Sequence, residues 1–394
     1  MTSIRESIRR LFITVEPLPP GTYHYQAPAS DPENYRLHLR LEPDGTGILI
    51  VNAHTVLHLN QTAAECAFYL VQNLPEDQAA ANLARRYRVS KRQALVDYRD
   101  FEDRVRTLIS TPDLDPVTYL DFDRTAPYSK DISAPYRLDC ALTYRLPPEA
   151  PVSAAPEERV KRELSTGEWE AIIDKAWEAG IPQIIFTGGE PTLRDDLLDL
   201  IRKAESNGQV SGLMTDGLRL LENGLLDNLL QTGLDHLTLI FHPEVERSWQ
   251  VLEKLMAADL FVVVHLTITP EDVDQIEGLL NRLAEAGVKA VSLSITDPDL
   301  APELHEARNQ AAHLQLALVW DLPVPYTALN PVALETRGVN GEGVETRPGA
   351  GRAWLYVEPD GDVLASQGVL DVLGNMLTDP WSVIWQKARQ KTQS

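Results

Sequence analysis

The feature that most constrains the fold is the alternation of short apolar segments with amphipathic helical segments across residues 136–320. Six strands are predicted, at residues 138–145, 182–187, 211–215, 236–241, 260–268 and 289–295. Most of the helical segments between them end in glycine, the usual C-terminal stop of a helix. This order predicts an α/β fold with a parallel, barrel-like sheet, open or closed. Functional residues of such folds lie at the carboxyl ends of the strands.

A smaller α+β module is predicted before the barrel, over residues 1–120. Residues 35–58 alternate apolar and polar side chains around Asp44-Gly45, which indicates a β-hairpin. Helical segments follow, and Asn60 or Thr62 is positioned to cap the first of them. Three strands followed by three helices predict a winged-helix-like module.

The remaining boundaries follow from changes in composition. Residues 111–135 are rich in Pro and Asp and lack periodicity, so we expect a linker there. The barrel is then predicted over residues 136–325. Residues 326–394 contain a Gly-rich loop, a hairpin signal around Asp360-Gly361 and a closing helical segment, which predict a small β-hairpin/helix extension.

Charge and hydropathy exclude several classes of partner. The chain has 58 acidic and 36 basic residues and a net charge of -22, which repels nucleic acids and anionic membranes. The N-terminal segment has only a short apolar run, and the longest apolar stretch, LFVVVHLTIT, is too short to span a bilayer. Two distant cysteines, Cys66 and Cys140, make no disulfide framework and no thiolate metal site. The sequence therefore predicts a cytoplasmic protein.

The stretch FTGGEPTLRDDL joins the second barrel strand to a helix. Gly188 and Gly189 allow the backbone to pass close to a ligand, and the N–H groups that follow can face it. Glu190 and the backbone before Pro191 are suited to an ammonium group. The alternative, at even odds from this stretch alone, is an ordinary strand-to-helix turn with a solvated glutamate.

Several motifs together resemble the radical S-adenosylmethionine (SAM) superfamily. These are ALTYR at the first barrel strand, GGEP at the second and GLMTDGLRL at the third. AGRAWLYVEPDGDVLASQGV is similar to the SPASM or twitch extension of peptide-modifying members, and LNQTAAECAFYLV resembles the PqqD-like peptide-recognition domain. The resemblance covers about residues 35–120, 136–300 and 345–386. It implies a partial (β/α)6 barrel.

The same resemblance implies a pocket for SAM. It places the SAM amino group in the turn Gly188–Pro191, with Thr215 and Asp216 beside it at the third strand. A cluster supplies a large share of SAM binding in that family. We therefore expect at most weak SAM binding in this chain.

The cluster ligands themselves are missing. The resemblance implies three cysteines after ALTYR, but those positions hold Leu146, Ala150 and Ser153. Leu and Ala have no ligating atom, and a Ser hydroxyl is a poor ligand for iron–sulfur clusters, which need thiolates. Two cysteine positions of the extension are likewise occupied by Pro348 and Ser366. No iron–sulfur cluster and no radical reaction are expected.

The favoured hypothesis is a non-catalytic protein that binds a peptide or leader peptide, or a partner maturation protein. In the PqqD-like family the peptide adds to the third strand of the module and rests on its last helix. By position these are Thr46 to Ala53 and Lys91 to Ile109. The alternative is that the small module only packs against the barrel.

Two further hypotheses stay open. A barrel enzyme or SAM sensor with a different chemistry would use the polar residues at strand ends: Thr143, Arg145, Glu190, Thr215, Asp216, His242 and Asp297. His265 lies within a β-branched strand and is more often a hydrogen-bonded core histidine than a ligand, and His236 with His242 lacks the spacing of a zinc pair. An active radical SAM peptide maturase with non-cysteine ligands is the least favoured.

Overall fold

The computed structural model describes residues 15–28, 30–33, 35–52, 55–111, 132–148, 160–222, 224–319, 349–367 and 371–391. Most of the predicted linker therefore lies outside the described residues. The chain divides into two compact units, residues 1–133 and 134–394. No helix of the described segments is long and apolar enough to cross a membrane.

The first unit contains a four-stranded antiparallel sheet in the order β1-β2-β3-β4. Its strands are β1 (Gly21–Gln26), β2 (Arg36–Leu41), β3 (Gly47–Val51) and β4 (Thr55–Leu59). The hairpin predicted around Asp44-Gly45 is confirmed, because β2 and β3 pair there with Leu41 opposite Gly47. The prediction of three strands is wrong, since β1 adds a fourth. It was missed because its sequence, GTYHYQ, has no aliphatic residue and is only half-buried.

Three helices cover one face of this sheet: α1 (Gln61–Val71), α2 (Glu76–Tyr87) and α3 (Lys91–Ser110). Asn60, one of the two predicted caps, accepts a hydrogen bond from the N–H of Ala63 and begins α1. The helices and strands share one apolar core, which includes Leu39, Leu49 and Tyr98. Burying this face of an amphipathic helix against a sheet is what stabilises such a small unit.

The second unit is built on a ten-stranded sheet in the order β11-β10-β9-β8-β7-β6-β5-β12-β13-β14. The strands β5 to β11 are parallel and follow one another in sequence; they are β5 (Arg137–Thr143), β6 (Gln183–Gly188), β7 (Val210–Thr215), β8 (His236–Ile240), β9 (Phe261–Ile268), β10 (Ala290–Ile295) and β11 (Ala317–Leu318). The six predicted strands are confirmed within two residues, and with them the α/β fold of partial-barrel type.

Helices alternate with these strands, as expected for right-handed β-α-β crossovers. They are α4 (Thr166–Glu178), α5 (Leu197–Asn207), α6 (Leu225–Leu230), α7 (Glu246–Met256), α8 (Ile276–Glu285) and α9 (Ala301–His313). The predicted glycine stops are confirmed at Gly180, Gly208, Gly233 and Gly287, which have positive φ angles after their helices. Helix α9 was not predicted, because it buries only Leu304, Ala307 and Ala311 and so has a weak apolar stripe.

The C-terminal segment extends the barrel sheet. It contains β12 (Trp354–Val357), β13 (Asp362–Leu364), β14 (Gly374–Asn375) and the helix α10 (Trp381–Lys391). β12 pairs in parallel with β5, with Trp354 opposite Arg137, while β13 turns back antiparallel at the predicted hairpin. The predicted hairpin/helix extension therefore supplies edge strands to the barrel's own sheet.

Candidate functional site

The glycine turn lies at the carboxyl end of β6, as the sequence analysis predicted. Residues Pro191–Leu193 form one turn of 3-10 helix directly after it, with Glu190 as the capping residue. Proline fits at this first position because its missing N–H would have had no partner within the helix. The turn thus places Glu190 between the ends of two neighbouring strands.

Both glycines of the turn are required by the chain that packs against them. Gly188 has φ +126, and a Cβ on it would overlap the carbonyl oxygen of Thr143. A Cβ on Gly189 would overlap the carbonyl oxygen of Arg145 in the same way. The N–H of Gly189 donates to the Thr143 carbonyl at 2.6 Å, and the N–H of Glu190 donates to the Arg145 carbonyl at 2.8 Å. The turn's glycines are therefore explained by close backbone packing, with no ligand needed.

The Glu190 carboxylate is buried and held by four internal donors. One oxygen accepts from the Thr192 N–H at 2.9 Å, the Thr192 hydroxyl at 2.5 Å and the Thr215 hydroxyl at 2.8 Å. The other oxygen accepts from the Asp216 N–H at 2.9 Å. The structure thus brings together Glu190, Thr215 and Asp216. It leaves the carboxylate satisfied within the protein instead of open to an ammonium group.

Burial dominates the electrostatics of this group. Desolvation and the nearby Asp216 carboxylate raise the pKa of Glu190 to about 7, against the opposite effect of its hydrogen bonds. A carboxyl group that titrates near neutrality at a strand end is the kind of group that acid–base chemistry uses. The four hydrogen-bond donors around the carboxylate favour its ionised form. They come from residues that follow β6 and from the end of β7, so Glu190 connects the ends of these two strands.

A second polar network lies at the carboxyl end of β5. Glu163 accepts hydrogen bonds from the Thr143 hydroxyl and, at 3.0 Å, from Nε of Arg145. Arg194 lies beside it and donates to the carbonyl oxygens of Leu142 and Leu164. Thr143 and Arg145 are among the residues predicted at strand ends, whereas Glu163 and Arg194 were not predicted. No spacing in the sequence could have linked residues that only the fold brings together.

The cluster positions do not fit an iron–sulfur cluster. Leu146 is an apolar residue just after β5, and Ser366, buried after β13, offers a hydroxyl; Ala150, Ser153 and Pro348 lie outside the described residues. The chain's two cysteines are no substitute. Cys140 lies within β5, fully buried, and Cys66 lies in α1 of the other unit. Burial raises the pKa of the Cys140 thiol, and it raises that of Cys66 to about 12, so neither is readily a thiolate.

Two tyrosines lie close together, Tyr144 just after β5 and Tyr356 within β12. The Tyr144 hydroxyl lies 3.4 Å from that of Tyr356 and donates to Glu358 at 3.1 Å. Glu358, Asp360 and Asp362 offer oxygens within 4.8 Å of one another. Asp360 accepts from the Asp362 N–H, however, and Asp362 accepts from the Asn375 side chain. Asp360 and Asp362 thus take part in the hydrogen bonding of the extension itself, while Glu358 accepts from Tyr144, after β5.

The histidines behave as the sequence analysis favoured. His265 is buried, and its ring nitrogens lie 3.1 Å from the hydroxyls of Ser292 and Ser294. His236 begins β8, where burial and, to a lesser degree, Arg137 lower its pKa to about 4. In His242, after β8, the ring Nδ1 lies 3.6 Å from a carboxylate oxygen of Glu244. Asp297 accepts the Asp299 N–H in a turn after β10.

Comparison with known proteins gives the following similarities. Residues 140–269 match the family model described as the Radical SAM superfamily. A stretch of 120 residues is 36% identical to the PqqA peptide cyclase of Granulibacter bethesdensis, and covers 28% of this chain and 32% of that protein. Over 244 residues the chain is 25% identical to the PqqA peptide cyclase of Bradyrhizobium diazoefficiens, covering 55% and 62%. The chain thus spans less than two thirds of the length of these curated relatives.

Solved structures resemble this chain over most of its length, although their sequence identity to it is low. Streptococcus suis SuiB, bound to precursor peptide SuiA, superposes with a TM-score of 0.59 and 14% identity over 92% of this chain and 88% of SuiB. SuiB bound to S-adenosylmethionine gives a TM-score of 0.58 at 16% identity, over 89% and 86%. Residues 140–269 thus match the radical SAM family model, and the chain shares its fold with SuiB.

Proposed function

We propose that this chain is a peptide-binding protein that keeps the scaffold of a radical SAM peptide-modifying protein without its iron–sulfur chemistry. The observation that carries the proposal is the donor set. Three thiolates are needed for the cluster, and the chain has two cysteines, both buried and in different units. Such a protein would bind a peptide, or a maturation partner in place of an active homologue.

The similarities support a peptide as the ligand. The curated relatives are named for the PqqA peptide, and SuiB was solved with its precursor peptide. The superposition on SuiB covers 92% of the chain, so it extends well beyond the barrel and into the first unit. We place the peptide site in that unit, in keeping with the PqqD-like resemblance of residues 35–120.

The strand assigned to the peptide must change. The segment Thr46 to Ala53 contains β3, and β3 pairs with β2 on one side and β4 on the other. The main-chain N–H and C=O groups on both sides of β3 are therefore paired within the sheet, so β3 cannot accept an added strand. The edges of this sheet are β1 and β4, and of these β4 lies directly before the helices. We therefore assign strand addition to β4 (Thr55–Leu59).

The residues of β4 suit this role. Leu57 and Leu59 point into the core and fix the strand, while Val56 and His58 alternate with them and are only half-buried. A peptide added beside β4 would gain main-chain hydrogen bonds from the edge and sequence-dependent contacts from its neighbours. Main-chain pairing would bind peptides of varied sequence, because it does not depend on their side chains.

A peptide-display library panned on the full chain tests the proposal. Enriched peptides are synthesised, their affinity is measured by fluorescence anisotropy, and their site is located by hydrogen–deuterium exchange. We expect slower exchange in residues 55–59. Enrichment of no sequence, or protection confined to the second unit, would contradict peptide binding at β4.

The lost chemistry has its own test. After anaerobic reconstitution with iron and sulfide, we expect no bound iron and no cleavage of SAM. Calorimetric titration of SAM into iron-free protein should show weak binding at best, with little change in the Glu190→Ala variant. Stoichiometric iron with SAM cleavage would establish the radical enzyme with non-cysteine ligands.

One observation favours a second function. The pKa of Glu190 is raised to about 7 beside Asp216, at the carboxyl end of a barrel strand. A barrel enzyme or SAM sensor that uses this pair would bind SAM in the same calorimetric titration and lose that binding in the Glu190→Ala variant.

A further inference from the structure

One segment of this acidic chain has the opposite charge. Residues 78–96 contain no Asp or Glu, and five cations fall within them: Arg85, Arg86, Arg88, Lys91 and Arg92. The whole chain has a net charge of -22. A run of this kind is usually a solvated surface, so its structural setting decides whether it can recognise anything.

The cations sit where α2 ends and α3 begins. Arg86 is half-buried and serves the fold, since its Nε lies 2.6 Å from the buried Glu65 and its Nη2 donates to the Glu16 carbonyl. Lys91 pairs with Asp77 at 3.3 Å. Arg85, Arg88 and Arg92 are exposed, and none of the three forms an ion pair with another residue of the described segments. Arg85 only donates to the Asn82 side chain.

Arg88 has a backbone conformation that is unfavourable for a residue with a side chain. It is the C-cap of α2 and has φ 54 and ψ 39, the left-handed region. Glycine or asparagine usually occupies this position, because a Cβ there costs roughly 1 kcal/mol. The other positive-φ residues of the described chain that are not glycine are Asn52, Asn73 and Gln315. A long cation at such a turn is thus held in place against the local preference.

An apolar side chain adjoins the cations. Val96 is 56% exposed, the most exposed of the large hydrophobic residues described. It lies four residues after Arg92 on α3, so the two side chains are neighbours on one helix surface. Charge and apolar area therefore occur together, as they do in surfaces that bind amphipathic segments.

We propose that the basic turn, defined as Arg85, Arg88, Arg92 and Val96, binds an acidic segment of the peptide that also carries an apolar residue. This inference rests on the proposed peptide-binding function and adds the chemical class of the peptide. A chain of net charge -22 repels an acidic peptide at long range. Within about 10 Å, the Debye length at moderate salt, the turn supplies a local attraction that orients the peptide.

Matched peptides test the charge directly. Two fluorescein-labelled synthetic peptides share leucines at the apolar positions and differ only in carrying Glu or Gln at the polar positions. Binding to the full chain is followed by anisotropy at low and at physiological salt. We expect the Glu peptide to bind roughly tenfold more tightly than the Gln peptide, with the difference shrinking as salt rises.

Variants separate recognition from folding. Arg88→Gly removes the guanidinium and also relieves the left-handed conformation, so the melting temperature should stay equal or rise while Glu-peptide affinity falls several-fold. Arg92→Gln should weaken the Glu peptide and leave the Gln peptide unchanged. Val96→Ser should weaken both. Arg202→Gln, which removes an exposed arginine of α5, is the control of equal charge change.

The outcomes distinguish this inference from the proposed function. Equal binding of both peptides, insensitive to Arg88→Gly and Arg92→Gln, overturns the basic turn while leaving peptide binding intact. Failure of the Glu peptide to bind while displayed peptides protect β4 overturns it as well. Single-stranded DNA or phosphatidylserine vesicles that bind in place of the Glu peptide, and depend on Arg92, would also overturn it. Failure of every displayed peptide contradicts the proposed function itself.

Discussion

The hydroxyl of Thr215 donates a hydrogen bond of 2.8 Å to Glu190 and so connects the carboxyl ends of β6 and β7. Both residues are buried. The contact joins two positions that the resemblance to radical SAM proteins places in one pocket. In this chain the hydrogen bond joins the ends of these two strands.

The buried carboxyl of Glu190 should make stability depend on pH. Its pKa is about 7 in the folded protein against an ordinary value of 4.5. The folded state therefore binds more protons in that interval, and the free energy of unfolding falls as pH rises from 4.5 to 7 and is level above. This contribution is on the order of 3 kcal/mol at most. The free energy of unfolding of the wild type and of the Glu190→Gln variant is measured by thermal or urea unfolding. The difference between the two should change with pH only between pH 4.5 and 7.

His236 should have the opposite dependence on pH. Its pKa falls from 6.5 to about 4 on folding, so the unfolded chain binds more protons between these values. Stability from this residue is present above about pH 6.5 and is lost as the pH falls towards 4. A His236→Gln variant should lose less stability on acidification than the wild type. An unchanged acid transition would contradict the assignment.

The turn glycines should matter without any ligand. In Gly188→Ala and Gly189→Ala the added methyl group meets a backbone carbonyl that cannot move aside, so we expect losses of about 2–4 kcal/mol. Unfolding is measured in protein free of SAM. Gly278→Ala is the control, because a Cβ at this position of α8 meets nothing within 4 Å and should stabilise the helix slightly. Equal effects at the three positions would contradict the packing argument.

The two thiols should be unreactive in the native protein. Both cysteines are buried, and burial raises the pKa of each thiol, so neither forms the reactive thiolate at neutral pH. A thiol titration with Ellman's reagent should detect none in native protein and both in guanidinium chloride. A reactive thiol under native conditions would reopen the question of metal binding.

The barrel was predictable because parallel strands buried on both faces leave continuous apolar runs, and glycine marks the helix ends. Strands β5 to β10 were predicted from such runs. β1 did not, because an edge strand of polar and aromatic residues has no such run. Because β1 was not predicted, the sequence could not show which strands of the small sheet are its edges.

The site was predictable only in part. The motif located Gly188 to Pro191, and neighbouring strands brought Thr215 and Asp216 alongside. The direction of the Glu190 carboxylate was not predictable, because it depends on four donors from two strand ends. The role of Glu163 was not predictable either, since Thr143 and Arg145, its partners, lie 20 and 18 residues before it in sequence.

The pairing of β12 with β5 has a consequence for biosynthesis. Trp354 lies opposite Arg137, so the ribosome must add more than two hundred residues before the edge of β5 finds its partner. Contacts this distant in sequence slow folding, and an uncovered strand edge invites pairing with other chains. The nascent barrel therefore spends much of its synthesis with this edge open, at a stage when chaperones are most needed.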